Sequence, residues 1–595
     1  MAPRGYERLG SSGAVSSTHH LGTAAAASVL SRGGNAFDAA VACGFVLQVA
    51  EPHLCGPGGD MPAVYVTASD PVPRVLCAQA GAPAAATIAA LRGEGCEIVP
   101  GTGLLAATVP GAWDGWLTLL RDHGTWELAD VLDPALGYAT SGIPLVPRIP
   151  ATIAAVAEHF RAHWPSSAAQ WLPDGSVPEP GETIRLPALA ATWRRLLEAA
   201  RGPSREARID AARDAWYRGF VAEEIERFCR VPARDETGRD HAGLLVADDL
   251  AGWSATYEDA LLAPAGGGWS VAKCGPWSQG PVLAQQLRLL DGMDLRFDEH
   301  GVASAETVHA AAEAAKLAFA DREAWYGDSM PVPMSDLLSD AYTDARRALI
   351  GEVSDGTLRP GSPGGREPRI GYYAATPGAG RGTGTEGPGS GEPTVSRHGV
   401  ARGDTVHIDV VDAAGNMISV TPSGGWLQSS PTIPELGFCL GTRAQMFWLE
   451  EGLPSSLVPG RRPRTTLSPS LALLDGEPRI AFGTPGGDQQ DQWQLCFLLA
   501  HTRAGLDLQA AIDSPTWHST AFPASFAPRG WEPHGLVVES RLGEATLTEL
   551  RRRGHVVDDA GPWALGRMCA VGRGGGPALR AAVDPRSGVG AATAF

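Results

Sequence analysis

The chain has 595 residues, 44% of them hydrophobic and 19% charged, the composition of a globular protein with a core to bury. Its formal net charge of -18 argues against nucleic acid or an anionic membrane as the partner. No run approaches the roughly 18 apolar residues of a membrane span, and the polar start has no apolar stretch of the signal-peptide kind. The nine cysteines are odd in number, scattered and without a Cys-x-x-Cys pair. That usage fits buried thiols in a reducing compartment, so a cytoplasmic location is expected.

Residues 21–50 predict two helices broken at Gly33-Gly34, an Ala-rich one ending near Arg32 and a second from Asn35, a good N-cap, through Val49. His19-His20 before them reads as an exposed pair in a flexible start. The loop 52–60 carries Gly56, Gly58 and Gly59, which let backbone approach backbone or ligand closely. No Lys-Ser/Thr follows, so it is not a phosphate loop. A buried strand is expected at 63–66. Pro110 opens a helix over 111–123 in which Trp113, Trp116, Leu117 and Leu120 share a face, the pattern of a core helix rather than a cofactor box. Helices dominate from 130 to 330, including 186–200 and 303–325, and the Gly/Pro-rich loop 275–281 precedes an amphipathic stretch at 282–290.

From 351 to 403 the chain becomes a flexible strap rich in Gly, Pro, Ser and Thr, which cannot bury a core. A formal dinucleotide fingerprint at 382–387 has no strand before it and no helix after it, and carries no weight. The tripeptide Arg402-Gly403-Asp404 resembles a cell-adhesion motif by coincidence.

The strap leads straight into a hairpin: a β pattern after Thr405, a polar Ala-Ala-Gly-Asn turn, and a second β run from Met417 to Thr421. Cleavage of the Asp404–Thr405 bond would give Thr405 a free α-amine, with a pKa of about 7.7 to 8.0. One residue would then hold both nucleophile and base. On the hairpin alone the plainer reading, a β-branched residue opening a strand, is the stronger. Further on, strands are expected at 471–474 and 479–482, followed by Gly483-Thr484-Pro485-Gly486-Gly487-Asp488 and a helix over 489–502. Consecutive glycines before a helix expose N–H groups that suit an anion or oxyanion, although the same pattern makes an ordinary turn.

Taken together these stretches resemble the γ-glutamyltranspeptidases, which are N-terminal-nucleophile hydrolases. The resemblance rests on 33–42 (Gly-Gly-Asn-Ala-Phe-Asp-Ala-Ala-Val-Ala), the glycine loop 56–59, Thr108-Val109-Pro110-Gly111 and Ala320-Asp321-Arg322. It continues through Asp404-Thr405-Val406-His407, Arg462-Pro463 with Thr465-Thr466, Pro485-Gly486-Gly487 and Asp584-Pro585-Arg586. It spans nearly the whole chain in the family's order and reverses the reading of Thr405. It implies an α+β fold of four layers, an αββα sandwich, and autocatalytic cleavage between Asp404 and Thr405. The products would be a large subunit, 1–404, and a small one, 405–595, held together as a heterodimer, with pairing of two heterodimers left open. It further implies Thr405 as nucleophile, Ser423 as a hydroxyl bonded to it, Gly486 and Gly487 as the oxyanion hole, and Thr465 and Thr466 as holders of a substrate carboxylate.

The chain also departs from the family. Where an Arg-Glu pair clamps the γ-glutamyl carboxylate, this sequence has Gln79-Ala80-Gly81-Ala82-Pro83. Where the family has Asn it has Gly425, and where an acidic residue receives the α-amine it has Gln445. Arginine makes a bidentate, charge-assisted pair that glutamine cannot replace. Arg443 and Arg464 are the candidates for a substitute charge, against the alternative of solvated surface arginines. The leading expectation is a self-processed γ-glutamyltransferase-like amidohydrolase or acyltransferase acting on a small-molecule amide. The alternatives are a non-glutamyl acylase of glutaryl-amide or oxamate type, and a catalytically silent homologue. No metal or other cofactor is expected.

Overall fold

A computed structural model describes residues 5–372, 405–527 and 529–595. The fingerprint at 382–387, the Arg402-Gly403-Asp404 tripeptide and the expected cleavage residue Asp404 lie outside the described residues.

Two antiparallel seven-stranded sheets organise a mixed helix and sheet fold. In the first, the strand order is Ala591–Ala594, Gly13–Ser17, Ile408–Asp412, Met417–Val420, Met61–Val66, Arg74–Ala78 and Thr256–Asp259. The expected hairpin is therefore its centre. Val410 lies opposite Ile418 within it, while Val410 also faces Val15 and Ile418 faces Tyr65, so both neighbours come from the chain before residue 373. The second sheet runs Arg8–Gly10, Leu579–Val583, Cys569–Arg573, Glu477–Gly483, Ser470–Leu474, Trp269–Lys273 and Leu261–Gly266.

Side-chain alternation with a period of two decides what each face buries. Val411 and Met417 join Val64, Val75, Leu471, Ala481 and Val571 in one apolar cluster shared by the two sheets. Ile408, Val410, Ile418 and Val420 point the other way, into a cluster with the helices Ala36–Ala50 and Ala112–His123. On the second sheet Ala472, Ile480 and Phe482 pack with Gly280–Leu290, Ala305–Trp325 and Gln490–Thr502.

The first two helices form as the sequence predicts, over His20–Ser31 and Ala36–Ala50. Asn35 and Asp38 close a capping box, an arrangement worth about 1 kcal/mol per cap. All fifteen residues of Ala36–Ala50 are buried, which its small side chains allow. Trp113 and Trp116 are core residues, although their helix starts at Ala112, with Pro110 just outside it. Two expectations fail. Helix Gly280–Leu290 is buried on every side except at Arg288 rather than amphipathic. His19 is 1% exposed, accepts from the Leu21 N–H at 3.2 Å as the helix cap, and is pulled down to about 3 by burial and by His20.

Residues 351–372 lie along helix Ala305–Trp325. The Gly361 N–H donates to Asp321 at 2.8 Å, Trp325 Nε1 donates to the Gly361 carbonyl at 3.0 Å, and Lys316 reaches Ser354 Oγ at 2.6 Å. All nine cysteines are unpaired and buried. Among the described residues no helix is long and apolar enough to cross a membrane.

Candidate active site

Thr405 heads the central hairpin and is 1% exposed. Its Oγ donates to Ser423 Oγ at 3.3 Å, and the Val406 N–H donates to the Pro422 carbonyl at 3.1 Å. Ser423 is pinned from the other side by Asp60, whose N–H donates to its carbonyl at 2.7 Å and whose carbonyl accepts from its N–H at 3.1 Å. The glycine loop makes this approach possible. A Cβ on Gly59 would lie 2.2 Å from the Ser423 carbonyl oxygen, inside any real contact.

Beneath this bracket lies a buried ion pair. Arg443 Nε meets Asp60 Oδ2 at 3.0 Å, and the guanidinium stands over the Trp426 ring at 5.4 Å. Burial pushes the Asp60 carboxyl up to about 6 despite Arg443 and the Ala80 N–H, which both favour its charged form. His407, fully buried, bonds Thr421 Oγ1 at 2.9 Å and Asp409 at 3.0 Å, fixing the second layer of the hairpin.

The Gly486-Gly487 pair sits at the end of strand Glu477–Gly483 with φ of 129° and 54°. Both values lie in the left-handed region, and a Cβ on Gly486 would come within 2.3 Å of the Trp493 ring. Neither glycine N–H has an acceptor among the described residues. The loop is locked by Gln279, which donates to the Gly487 carbonyl at 3.1 Å and accepts from Arg322 at 3.1 Å, while Arg322 also pairs with Asp488. The Gln279 N–H donates to the Thr465 carbonyl, and the Thr465 N–H to the Trp277 carbonyl, each at 2.9 Å. Loops 275–281, 462–466 and 483–488 are thus one interlocked unit.

The residues named from sequence divide into three groups. Thr405 and Ser423 are in contact, and the carbonyl beside Gly486 belongs to the same loop system as Thr465. Gln79 and Thr466 are 1% exposed, and the Gln79 amide and the Thr466 hydroxyl have no partner among the described residues. A polar group in that position suits a ligand. Gln445 is occupied: its Nε2 donates to the Gly101 carbonyl at 3.1 Å, and its Oε1 accepts from the Ala527 N–H at 3.3 Å. Gly425 has φ 67° and packs on the glycine loop, 3.0 Å from Gly58 at its Cβ position.

Arg443 and Arg464 are not surface arginines; each is 1% exposed. Arg464 is committed to Glu323 at 2.8 Å and to the Arg322 carbonyl at 3.2 Å. Two features escaped sequence reasoning: the pairing of Asp60 with Arg443, and Gln279. Asp60 and Gln279 lie inside loops already marked by their glycines and prolines.

Among the described residues one cluster could ligate a metal, His309, Glu313 and His555, all buried. Glu313 pairs there with Lys316 at 2.6 Å and Arg359 at 3.1 Å, and His309 bonds His555 at 2.8 Å and the Gly351 carbonyl at 2.9 Å.

A family model described as gamma-glutamyltranspeptidase matches residues 22–594. The chain is similar to the glutathione hydrolase-like YwrD proenzyme of Bacillus subtilis, 28% identical over 97% of this chain and 98% of that one. It is also similar to the acylase ACY 1 proenzyme of Pseudomonas sp. (strain SE83), 30% identical over 94% of this chain and 90% of that one. Among solved structures it resembles that of LmbA2991T421A, with a TM-score of 0.93 and 53% identity over 100% of both chains.

Proposed function

This chain belongs to the γ-glutamyltranspeptidase family of self-processed amidohydrolases, and we propose that Thr405 is its nucleophile, released by cleavage of the Asp404–Thr405 bond. The observation that carries the reading is the buried Thr405 Oγ, 3.3 Å from Ser423 Oγ at the head of the central hairpin. In processing, Thr405 Oγ bonds to the Asp404 carbonyl carbon, the peptide C–N bond breaks, and the nitrogen takes the hydroxyl proton. Water then hydrolyses the ester, leaving a carboxylate on Asp404 and a free α-amine on Thr405.

In turnover the same oxygen attacks the substrate carbonyl while the α-amine takes its proton and passes it to the leaving amine. Gly486 and Gly487 receive the oxyanion, a contribution of about 3 to 4 kcal/mol per donor. Water or a second amine resolves the acyl-enzyme. Ser423 positions the nucleophile, and Thr465 and Thr466 line the acyl side. The alternating apolar faces of the two sheets support the four-layer αββα arrangement of N-terminal-nucleophile hydrolases. The large and small subunits form a heterodimer, because the ladders from Ile408–Asp412 to Gly13–Ser17 and from Met417–Val420 to Met61–Val66 cross between them.

The substrate is a small amide. A non-glutamyl acylase is the second reading, favoured by the uncharged Gln79 and the occupied Gln445 and consistent with the acylase relative. The test is the intact mass of purified protein with N-terminal sequencing. Two chains, one beginning Thr-Val-His-Ile-Asp, are expected, and Thr405→Ala should stay uncut and inactive. A wild-type chain that remains whole on incubation would instead support a silent homologue.

A further inference from the structure

Residues 522–527 and Arg529 are bonded both to the loop of the glycine pair and to the turn that carries Arg443. At one end Ser525 donates to Asp488 from its N–H at 2.8 Å and its hydroxyl at 2.6 Å, and Arg322 donates to the Pro523 carbonyl at 2.8 Å. At the other end the Ala527 N–H meets Gln445 Oε1, and Arg529 Nη2 donates to the Gln445 carbonyl and, at 2.8 Å, to that of Phe447. Gln445 shares the short turn Arg443–Met446, and Arg443 holds Asp60 under Ser423. Arg464, at the third wall and next to Thr465-Thr466, lies 3.4 Å from Ser525 Oγ.

Besides the Arg443–Asp60 pair, three buried arginines and two buried carboxylates share this corner. Arg322 and Arg464 divide Glu323 and Asp488 between them. Arg529 is left over. It is 1% exposed, has no carboxylate within ion-pair distance among the described residues, and keeps Nε and Nη1 without an acceptor. Its guanidinium is fixed by two carbonyls and by the Trp448 face, 3.8 Å away. Burial and the neighbouring Arg464 pull it down to about 9, which leaves it cationic at neutral pH. A buried cation without a counter-ion is costly, whereas one supplied with an anion is a strong, preorganised contact.

We propose that Arg529 is an anion-binding residue of this site, receiving a carboxylate borne by the acyl part of the amide substrate. It supplies the charge absent at Gln79, which Arg443 and Arg464 cannot give because both are already paired. The unpartnered Thr466 hydroxyl and Gln79 amide would complete the recognition with neutral hydrogen bonds. The inference rests on the amidohydrolase reading for the identity of the anion's bearer, and it narrows the substrate to monoamides of dicarboxylic acids.

The experiment is isothermal titration of the purified protein with oxalate, succinate and glutarate, and with butyramide as the neutral probe, for wild type, Arg529→Met and Arg529→Lys. Intact mass is recorded on each sample. Wild type should bind at least one dicarboxylate more tightly than butyramide. Arg529→Met should weaken that binding by about tenfold to a hundredfold, the range of a hydrogen bond to a charged group, with butyramide unaffected. Arg529→Lys, which keeps the charge, should fall between. Equal dicarboxylate binding in wild type and Arg529→Met overturns the proposal, and so does a wild type that binds none of the three acids better than butyramide. The wild-type comparison and Arg529→Lys decide the matter even if Arg529→Met fails to fold. An uncut chain in the mass spectrum would sink the amidohydrolase reading separately, since anion binding is read without turnover.

Discussion

Replacing Ser423 by alanine separates two roles that the serine could play. Its Oγ accepts from Thr405 Oγ at 3.3 Å, longer than the usual 2.7 to 2.8 Å of a hydroxyl pair. A neutral hydrogen bond contributes about 0.5 to 1.5 kcal/mol, and the stretched distance places this one at the weak end. If the serine only positions the nucleophile, Ser423→Ala should slow self-cleavage by about two- to tenfold. If it were the general base of processing, its loss would cost roughly a hundredfold to ten-thousandfold. Only an oxygen is removed from a buried site whose backbone is pinned by Asp60, so the fold should survive. The assay follows freshly translated precursor by mass spectrometry over time, with Thr405→Ala as the uncut reference. A rate indistinguishable from wild type would refute the contact, and a hundredfold loss would refute the positioning role.

Two further outcomes follow from the same geometry. Gly486→Ala must place a methyl group where the Trp493 ring stands, 2.3 Å away, and must adopt φ 129°. Displacing one oxyanion donor should lower kcat by about a hundredfold to a thousandfold with little change in KM, and Gly486→Ala combined with Trp493→Phe should recover part of it. Retention of wild-type kcat in the single variant would exclude this loop as the oxyanion hole. Asp60 gives a pH signature. Its folded carboxyl is raised to about 6 from an ordinary 3.8, so the folded state holds the extra proton. Its contribution is most favourable below about pH 4 and is lost as pH rises through about 6, a change of roughly 3 kcal/mol. Measured by denaturant unfolding between pH 4 and 7, the stability of wild type relative to Asp60→Asn should fall by about that amount; a difference that stays flat would show that Asp60 is not held this way.

What the sequence determined by itself is what near neighbours decide. The hairpin was legible because alternation and an Ala-Ala-Gly-Asn turn are local, and so were the capped helix at Asn35 and the glycine-marked loops. The order of family stretches pointed to Thr405, Ser423 and the Gly486-Gly487 pair as candidates for the site. Side-chain environments were another matter. Asp60 and Arg443 are 383 positions apart, and nothing near either residue announces the other. Arg464 reads as a surface charge in sequence, whereas the fold sets Glu323, from a distant helix, against it. His19 looked exposed because polar residues surround it in sequence, while folding buries it as a cap. Gln445 aligned with a binding position, yet Gly101 and Ala527 already hold its amide. Arg529 sits in a Pro- and Gly-rich loop with no periodicity to read. Whether a charge is solvated, paired or left over depends on groups brought close by the fold, and only the tertiary structure fixes that balance.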